Sequence, residues 1–271
     1  MAGAVARHYA DCREAGATHA EALEITMTVG GDLYRYARCR EAGTTHAEVL
    51  EVLGYMAGLG GYASSREAGA THVEVLEALG SAAGLGWYAA CRRAGATHAE
   101  VLAAHEAGVN LYWYARCLNS GACRAEVLEV LETGGDLYWY SFCRGAGITH
   151  TEVFEALVAG AALNHYAMCR KVGASHAEVL EVLRAEASPH WYTHCRDAGA
   201  LHPEAMALRL SGAGLGPSEA AKLAVPALRA GCGTGPTREL GEVIATLAQD
   251  WAGTPGELAA TAMALLAPGP S

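Results

Sequence analysis

Positive charge is scarce in this sequence, and so is phenylalanine, which fills many protein cores. Lys and Arg together number 19 against 29 Asp and Glu, which gives the 271-residue chain a formal net charge of −10. An acidic chain repels phosphate backbones unless its few cations cluster, so this composition disfavours nucleic acid as a partner. Only 2 residues are Phe although 52% are hydrophobic. The apolar residues are mostly Ala, Val and Leu in units separated by Gly, which favours short helices over strands.

Long apolar runs and targeting signals are also missing. No uncharged stretch reaches the ~18 residues that a membrane-spanning helix needs. No basic segment followed by an apolar one opens the chain, as it does in a secretory signal peptide. From these two absences we expect no membrane partner and a cytoplasmic location. The Ala- and Gly-rich, Lys-poor composition is typical of bacteria with GC-rich genomes and of their phages, so we expect such a source.

What the sequence does contain is one motif that recurs along most of its length. Residues 88–102 read Tyr-Ala-Ala-Cys-Arg-Arg-Ala-Gly-Ala-Thr-His-Ala-Glu-Val-Leu, and near-copies return with a spacing of 27 residues once and 26 residues six times. The glycine of each copy is taken as position 0 of its repeat. These glycines are Gly16, Gly43, Gly69, Gly95, Gly121, Gly147, Gly173 and Gly199.

Each repeat contains the start and stop signals of two short helices. Helix A begins after position −11, which often holds an N-cap residue such as Asp32, Asn110 or Ser188, and it ends at the glycine, which favours a left-handed C-cap. Helix B begins after a Thr or Ser at +2 with Glu at +5, the spacing of a capping box. Six pairs have this spacing: Thr18 and Glu21, Thr45 and Glu48, Thr71 and Glu74, Thr97 and Glu100, Thr149 and Glu152, Ser175 and Glu178.

Helices of about ten residues are too short to be stable alone in water, so the repeats must stack on one another. The sequence therefore predicts an all-α fold, a right-handed-type α-solenoid of about eight 26-residue helix–turn–helix repeats. In this architecture it resembles helical-repeat scaffolds such as tetratricopeptide arrays, although its period is shorter and their signature residues are absent. The pattern decays after Ala200, so we predict a solenoid over residues 1–210 and a C-terminal helical cap over 211–271. In the cap we expect helices near Ser218–Ala230, Arg238–Trp251 and Gly256–Leu266, the first kinked at Pro226.

The 9 cysteines do not form the pattern of a disulfide scaffold. Seven of them stand at position −4, and equivalent positions in stacked helices lie roughly 8–10 Å apart, farther than a disulfide allows. Ser65 fills this position in the third repeat, so we interpret the column as reduced, buried packing residues. Cys123 and Cys232 lie outside the column and receive no interpretation.

Recurring polar residues at other positions also favour structural roles. One His per repeat at +3 cannot converge on a metal ion, which needs ligands within roughly 2.1 Å, so an interface role is expected. The Tyr present at −7 in every repeat fits packing with a hydrogen-bonded hydroxyl. Arg at −3 and Glu at +5 predict a ladder of ion pairs between helices A and B. In the fifth repeat Leu118 replaces this Arg while Arg124 replaces the His, which suggests structural compensation.

Catalytic chemistry finds no support in the sequence. No Ser/His/Asp or Cys/His cluster stands out from the periodic background, so we predict a non-enzymatic protein with no cofactor and no metal site. His190 and His194 lie four residues apart, the spacing of a helical metal pair, but no third ligand is evident.

Variation between repeats indicates where a partner binds. Positions −9, −5 and −2 share one face of helix A away from its apolar stripe, and position −8 adds tryptophans. Aromatic residues gather there in the middle and late repeats, and such residues are favoured at binding sites. We predict these contact residues: Tyr34, Trp87, Tyr112, Trp113, Arg116, Tyr138, Trp139, Phe142, Trp191 and His194. Packing between repeats is the alternative role for the tryptophans.

Two functions fit this pattern. The first is a scaffold that binds a peptide, a protein or an apolar ligand on the variable aromatic face. The alternative is a modular nucleic-acid-binding repeat protein, because one variable stripe per repeat and stackable aromatic rings suit that role. The net charge opposes the alternative.

Overall fold

The computed structural model describes residues 2–28, 32–55, 58–208, 217–231, 238–248, 251–252 and 254–266. All regular structure in these ranges is helical, and the helices follow the predicted two-per-repeat order of an α-solenoid. The A helices are α1 (Ala2–Glu14), α3 (Leu33–Glu41), α5 (Leu59–Glu67), α7 (Leu85–Arg93), α9 (Leu111–Asn119), α11 (Leu137–Gly145), α13 (Leu163–Lys171) and α15 (Pro189–Asp197). The B helices are α2 (His19–Thr28), α4 (His46–Gly54), α6 (His72–Gly80), α8 (His98–Glu106), α10 (Arg124–Glu132), α12 (His150–Val158), α14 (His176–Arg184) and α16 (His202–Ala207).

The helix boundaries confirm the predicted caps. All six Thr/Ser–Glu pairs at +2 and +5 form reciprocal capping boxes; in the second repeat, Glu48 N–H donates to the Thr45 hydroxyl at 3.2 Å and Thr45 N–H to the Glu48 carboxylate at 2.7 Å. The repeat glycines all have left-handed backbones, for example φ 83° at Gly16 and 86° at Gly199, as a helix C-cap requires.

The core of each repeat is built from helix A stripes that meet the A helices of neighbouring repeats. Residues 1–128 and 129–271 form separate compact units. Within the first unit α1, α3, α5, α7 and α9 pack in sequence, and within the second α11, α13, α15 and the tail helix α17 (Pro217–Gly231) do so. The tyrosines at −7 in repeats two to eight are at most 1% exposed, which makes them the largest fully buried side chains among the described residues.

The C-terminal tail forms the three expected helices: α17, α18 (Arg238–Ala248) and α19 (Pro255–Leu266). The second ends before Trp251, earlier than predicted, and α17 continues through Pro226. Helix α17 packs against α15 and α16 of the eighth repeat, in the position that the next helix A would have, and the capping role of the tail stays a prediction. The predicted boundary between residues 210 and 211 lies outside the described residues.

Candidate binding surface

The repeated Tyr and His do not form a binding surface, because they hydrogen-bond to each other and to the preceding repeat. The Tyr88 hydroxyl lies 2.9 Å from Nδ1 of His98, and Nε2 of His98 lies 2.8 Å from a carboxylate oxygen of Glu77 in the preceding repeat. A carboxylate only accepts, so Nε2 carries the hydrogen and Nδ1 accepts from the tyrosine. The chain therefore fastens helix A to helix B and each repeat to its predecessor.

This Tyr–His–Glu chain recurs at six junctions, with Glu always at +8 of the preceding repeat. The chains are Tyr36–His46–Glu24, Tyr62–His72–Glu51, Tyr88–His98–Glu77, Tyr140–His150–Glu129, Tyr166–His176–Glu155 and Tyr192–His202–Glu181.

The junction between the fourth and fifth repeats lacks two members of the chain. Arg124 stands where the His would be, and Ala103 stands where the Glu would be. The hydroxyl of Tyr114 is consequently buried without a hydrogen-bond partner in the described part of the chain. Arg124 is close enough to Glu100 of the fourth repeat to help lower the pKa of that carboxyl, after the larger effect of the Thr97 N–H and hydroxyl. This placement agrees with a compensating role for Arg124.

Some arginines at −3 contact the preceding repeat, whereas others, such as Arg66, donate to a carbonyl in the turn of their own repeat. Arg170 donates to the Glu152 carboxylate of the preceding repeat at 2.8 Å. Arg92 reaches both Glu74 and the carbonyl of Gly69, each at 3.5 Å. The predicted ladder joined helices A and B of the same repeat, and this prediction was wrong about the partner: the pairs at Arg92 and Arg170 join an A helix to helix B of the preceding repeat.

The cysteines at −4 are fully buried, and burial raises the pKa of six of these thiols to about 12. The Cys91 thiol faces the carbonyl of Leu111 in the next repeat at 3.4 Å, and the hydroxyl of Ser65 makes the equivalent contact to Leu85 at 3.4 Å. A protonated, buried thiol is a poor nucleophile and a poor metal ligand, so the column has a packing role. Cys123 is exposed, and Cys232 lies outside the described residues.

Positions −9, −5 and −2 face solvent as predicted, but the early repeats use them for ion pairing. Arg38 at −5 of the second repeat makes a bidentate pair with Glu67 at −2 of the third, with N–O distances of 2.6 Å. Tyr34 is exposed and lies against His8, with ring centroids 5.6 Å apart.

The fourth and fifth repeats have aromatic residues on this face instead. Trp87 is 50% exposed, and its ring centroid lies 4.9 Å from that of the half-buried Tyr112. Tyr112 in turn lies 4.4 Å from the half-buried Trp113. We call Trp87, Tyr112 and Trp113 the first aromatic patch. Arg116, on the same face, is exposed.

The sixth repeat, in the second compact unit, has its own aromatic group. Tyr138 and Phe142 are 42% and 44% exposed, and both pack edge-on with the half-buried Trp139, at centroid distances of 4.7 and 6.0 Å. We call Tyr138, Trp139 and Phe142 the second aromatic patch. A shallow pocket of ≈ 140 Å³ beside Phe142 is lined by Arg170 and Lys171.

Each patch borders a cleft of similar construction. The cleft beside Trp87 has a volume of ≈ 380 Å³ and is closed by the turn 108–111 of the next repeat and by His105. The cleft beside Trp139 has a volume of ≈ 300 Å³ and is closed by residues 161–163 and by Leu157, which occupy the same repeat positions. The two clefts thus share their geometry and differ in the side chains that line them.

The last two predicted contact residues lie in the eighth repeat. Trp191 is only 6% exposed, and its indole N–H donates to the carbonyl of Leu208. Trp191 is therefore not part of either aromatic patch. His194 is half-buried, and burial, then the neighbouring His190, lowers its pKa.

The two histidines have ring centroids 4.5 Å apart. Within the described ranges no three His, Cys, Asp or Glu side chains are grouped as a metal site. The helices of those ranges include none with the length and hydropathy of a membrane span.

Comparison with known proteins returned no match to any protein-family model, to any curated protein or to any solved structure.

Proposed function

We propose that this protein is a non-enzymatic scaffold that binds an apolar or aromatic segment of a peptide or protein on its two aromatic patches. The observation that carries the proposal is the exposure of Trp87, Tyr138 and Phe142. These rings lie on a face of helix A that is separate from the buried stripe. In repeats two to seven the buried stripe of helix A is filled by the residues at −10, −7, −6 and −4. The exposed rings therefore add nothing to that stripe, and exposed aromatic clusters are typical of binding sites.

The clefts support a peptide as the ligand. Each has room for a side chain, and each presents an aromatic wall together with backbone groups of a turn. Because His105 and Asn110 line one cleft where Leu157 and Ala162 line the other, the two clefts should accept different side chains.

A peptide-display selection against the purified chain tests this function. We expect enriched peptides with large apolar residues, and we expect Trp87→Ser and the pair Tyr138→Ser/Phe142→Ser each to weaken binding at least tenfold in calorimetry, the loss typical of an aromatic hot spot. The matched control is Tyr55→Ser, because Tyr55 is 58% exposed at the end of a B helix outside both patches.

Three results would contradict the peptide-binding proposal: no enrichment, binding that survives the patch variants, or equal loss in the Tyr55 control. Single-stranded oligonucleotides provide the other arm of the experiment. Binding to an oligonucleotide that weakens steeply with added salt, and that the patch variants abolish, would favour the nucleic-acid function instead.

A further inference from the structure

The first repeat has an outer face whose residues correspond to those that lie at the junctions between later repeats. In later repeats the histidine at +3 hydrogen-bonds to the preceding repeat at six junctions, the tyrosine at −7 is buried, and the residues at −3 and +7 are half-buried. In the first repeat these positions hold Tyr9, Arg13, His19 and Leu23, which we call the N-terminal face. The face is open: Leu23 is 45% exposed and Arg13 and His19 are exposed, whereas their equivalents in later repeats are half-buried.

The open groups on this face have defined partners elsewhere in the chain. Nδ1 of His19 is hydrogen-bonded to the hydroxyl of Tyr9 at 2.6 Å, as in other repeats. Its other ring nitrogen, Nε2, therefore faces solvent. At the next junction the same nitrogen of His46 meets Glu24, and Arg40 meets the carbonyl of Gly16 at 3.2 Å. Arg13 donates to the carbonyl of Ala17 in its own repeat, as Arg40 does to that of Thr44. Among the described residues, His19 and Arg13 lack only the contacts that His46 and Arg40 make to the preceding repeat.

The C-terminal end shows how this chain closes an array. Arg229 of α17 donates to both carboxylate oxygens of Glu204 at 2.7 Å and to the carbonyl of Gly199 at 2.8 Å. These are the contacts that an arginine at −3 makes to the repeat before it. Terminal repeats of solenoids otherwise need a polar outer face. The N-terminal face has neither a covering helix among the described residues nor polar replacements at +7.

We propose that the N-terminal face binds a helical hairpin of the same two-helix kind as these repeats. The second helix of that hairpin presents two glutamates in the spacing Glu-x-x-Glu, the first toward Arg13 and the second toward Nε2 of His19. The proposed contact is based on six internal junctions, where the glutamates at +5 and +8 of the preceding repeat have this spacing. Glu48 and Glu51 are an example. Positive and neutral donors on the face complement the acidic helix.

The test uses the full chain and a defined probe. The probe is three tandem copies of the sequence of residues 32–57, with Arg40→Ala and His46→Ala in the first copy so that it cannot add to itself. Three repeats are enough for a stable array, and circular dichroism confirms its helicity before use. We expect saturable binding to the chain, weakened about tenfold by His19→Ala in the chain or by Glu51→Gln in the last copy of the probe, which is the loss of one charge-assisted hydrogen bond.

Controls separate this site from general adhesion. Arg93→Ala changes an exposed arginine on another face and should leave the affinity unchanged. Combining His19→Ala with Glu51→Gln should cost little more than either change alone, because both remove the same contact. The proposal is overturned if a helical probe does not bind, if His19→Ala leaves the affinity unchanged, or if Arg93→Ala weakens it equally.

Discussion

Replacing tyrosine by phenylalanine in two neighbouring repeats should change stability in opposite directions. Tyr88 donates its hydroxyl proton to His98, which continues the hydrogen-bond chain to Glu77. Tyr114 has the same position in the next repeat and is 1% exposed, but its hydroxyl has no hydrogen-bond partner among the described residues. Tyr88→Phe therefore removes a hydroxyl that is hydrogen-bonded. Tyr114→Phe removes a buried hydroxyl that has no hydrogen-bond partner among the described residues.

The magnitudes follow from the cost of buried polar groups. Tyr88→Phe leaves Nδ1 of His98 without its donor inside the junction and should lower the free energy of unfolding by about 1–2 kcal/mol. Tyr114→Phe removes an unpaired buried oxygen and should raise it by up to about 1 kcal/mol. Urea unfolding measures both. It should be followed by circular dichroism and by tryptophan fluorescence, because repeat arrays can unfold in parts.

Restoring the missing hydrogen-bond chain should reverse the sign of the stability change that Tyr114→Phe causes. Arg124→His and Ala103→Glu together supply the two absent members of the junction between the fourth and fifth repeats. In that background Tyr114→Phe should lower stability by about 1–2 kcal/mol, as Tyr88→Phe does in the natural chain. The reasoning is refuted if Tyr114→Phe destabilises the natural chain as much as Tyr88→Phe, or if its effect is the same in both backgrounds.

Three further predictions concern a turn and titrating groups. Ala82 has a left-handed backbone (φ 59°) at a position where three other repeats have glycine. Ala82→Gly should therefore raise the free energy of unfolding in urea by about 1 kcal/mol. The control Ala94→Gly, at φ −77°, should lower it. Because burial raises the pKa of six repeat thiols from 9.0 to about 12, their contribution to stability is complete below pH 9 and lost as pH rises toward 12. An unfolding series from about pH 8 to 11 should show a loss of about 1.4 kcal/mol per pH unit for each thiol that ionises only in the unfolded chain. Burial opposes ionisation of Glu152, but hydrogen bonds from Arg170 and Thr149 lower its pKa from 4.5 to about 2. Its contribution is present above pH 4.5 and lost as pH falls toward 2, so Glu152→Gln should flatten the acid side of a Tm profile.

The scaffold was predictable because its signals are local. A capping box such as Thr45 and Glu48 lies within one turn of helix, and Gly43 ends the helix before it, so sequence spacing alone specifies both. The Tyr–His–Glu chain was not predicted because its members lie 10 and about 21 residues apart and join two repeats. A signal for it was nevertheless present: Arg124 and Ala103 depart from their columns together, at the two positions that the structure brings to one junction.

Side-chain exposure explains why the binding surface was harder to predict than the scaffold. Trp87 and Trp191 both occupy position −8, yet one is 50% exposed and the other is buried against Leu208. Their repeat positions are identical, so the difference arises from the neighbours of each ring: Tyr112 of the next repeat beside Trp87, and Leu208 at the end of α16 beside Trp191. A residue at a fixed position of a periodic sequence thus acquires its role from its neighbours in the stack.

The residues of the repeated motif form contacts within and between repeats. Recognition of a partner is therefore left to the positions that vary. Tyrosine at −7, cysteine at −4, arginine at −3 and histidine at +3 each contact an adjoining helix or repeat, and changing one of them disturbs a junction. Positions −9, −5 and −2 face solvent, so they can change from the Arg38–Glu67 ion pair to the Tyr138 and Phe142 rings without affecting how repeats stack. An array divided in this way can acquire a new partner by substitution on one face alone. The partner should therefore be sought with variants of the aromatic patches, and variants of the repeated motif should serve only to measure stability.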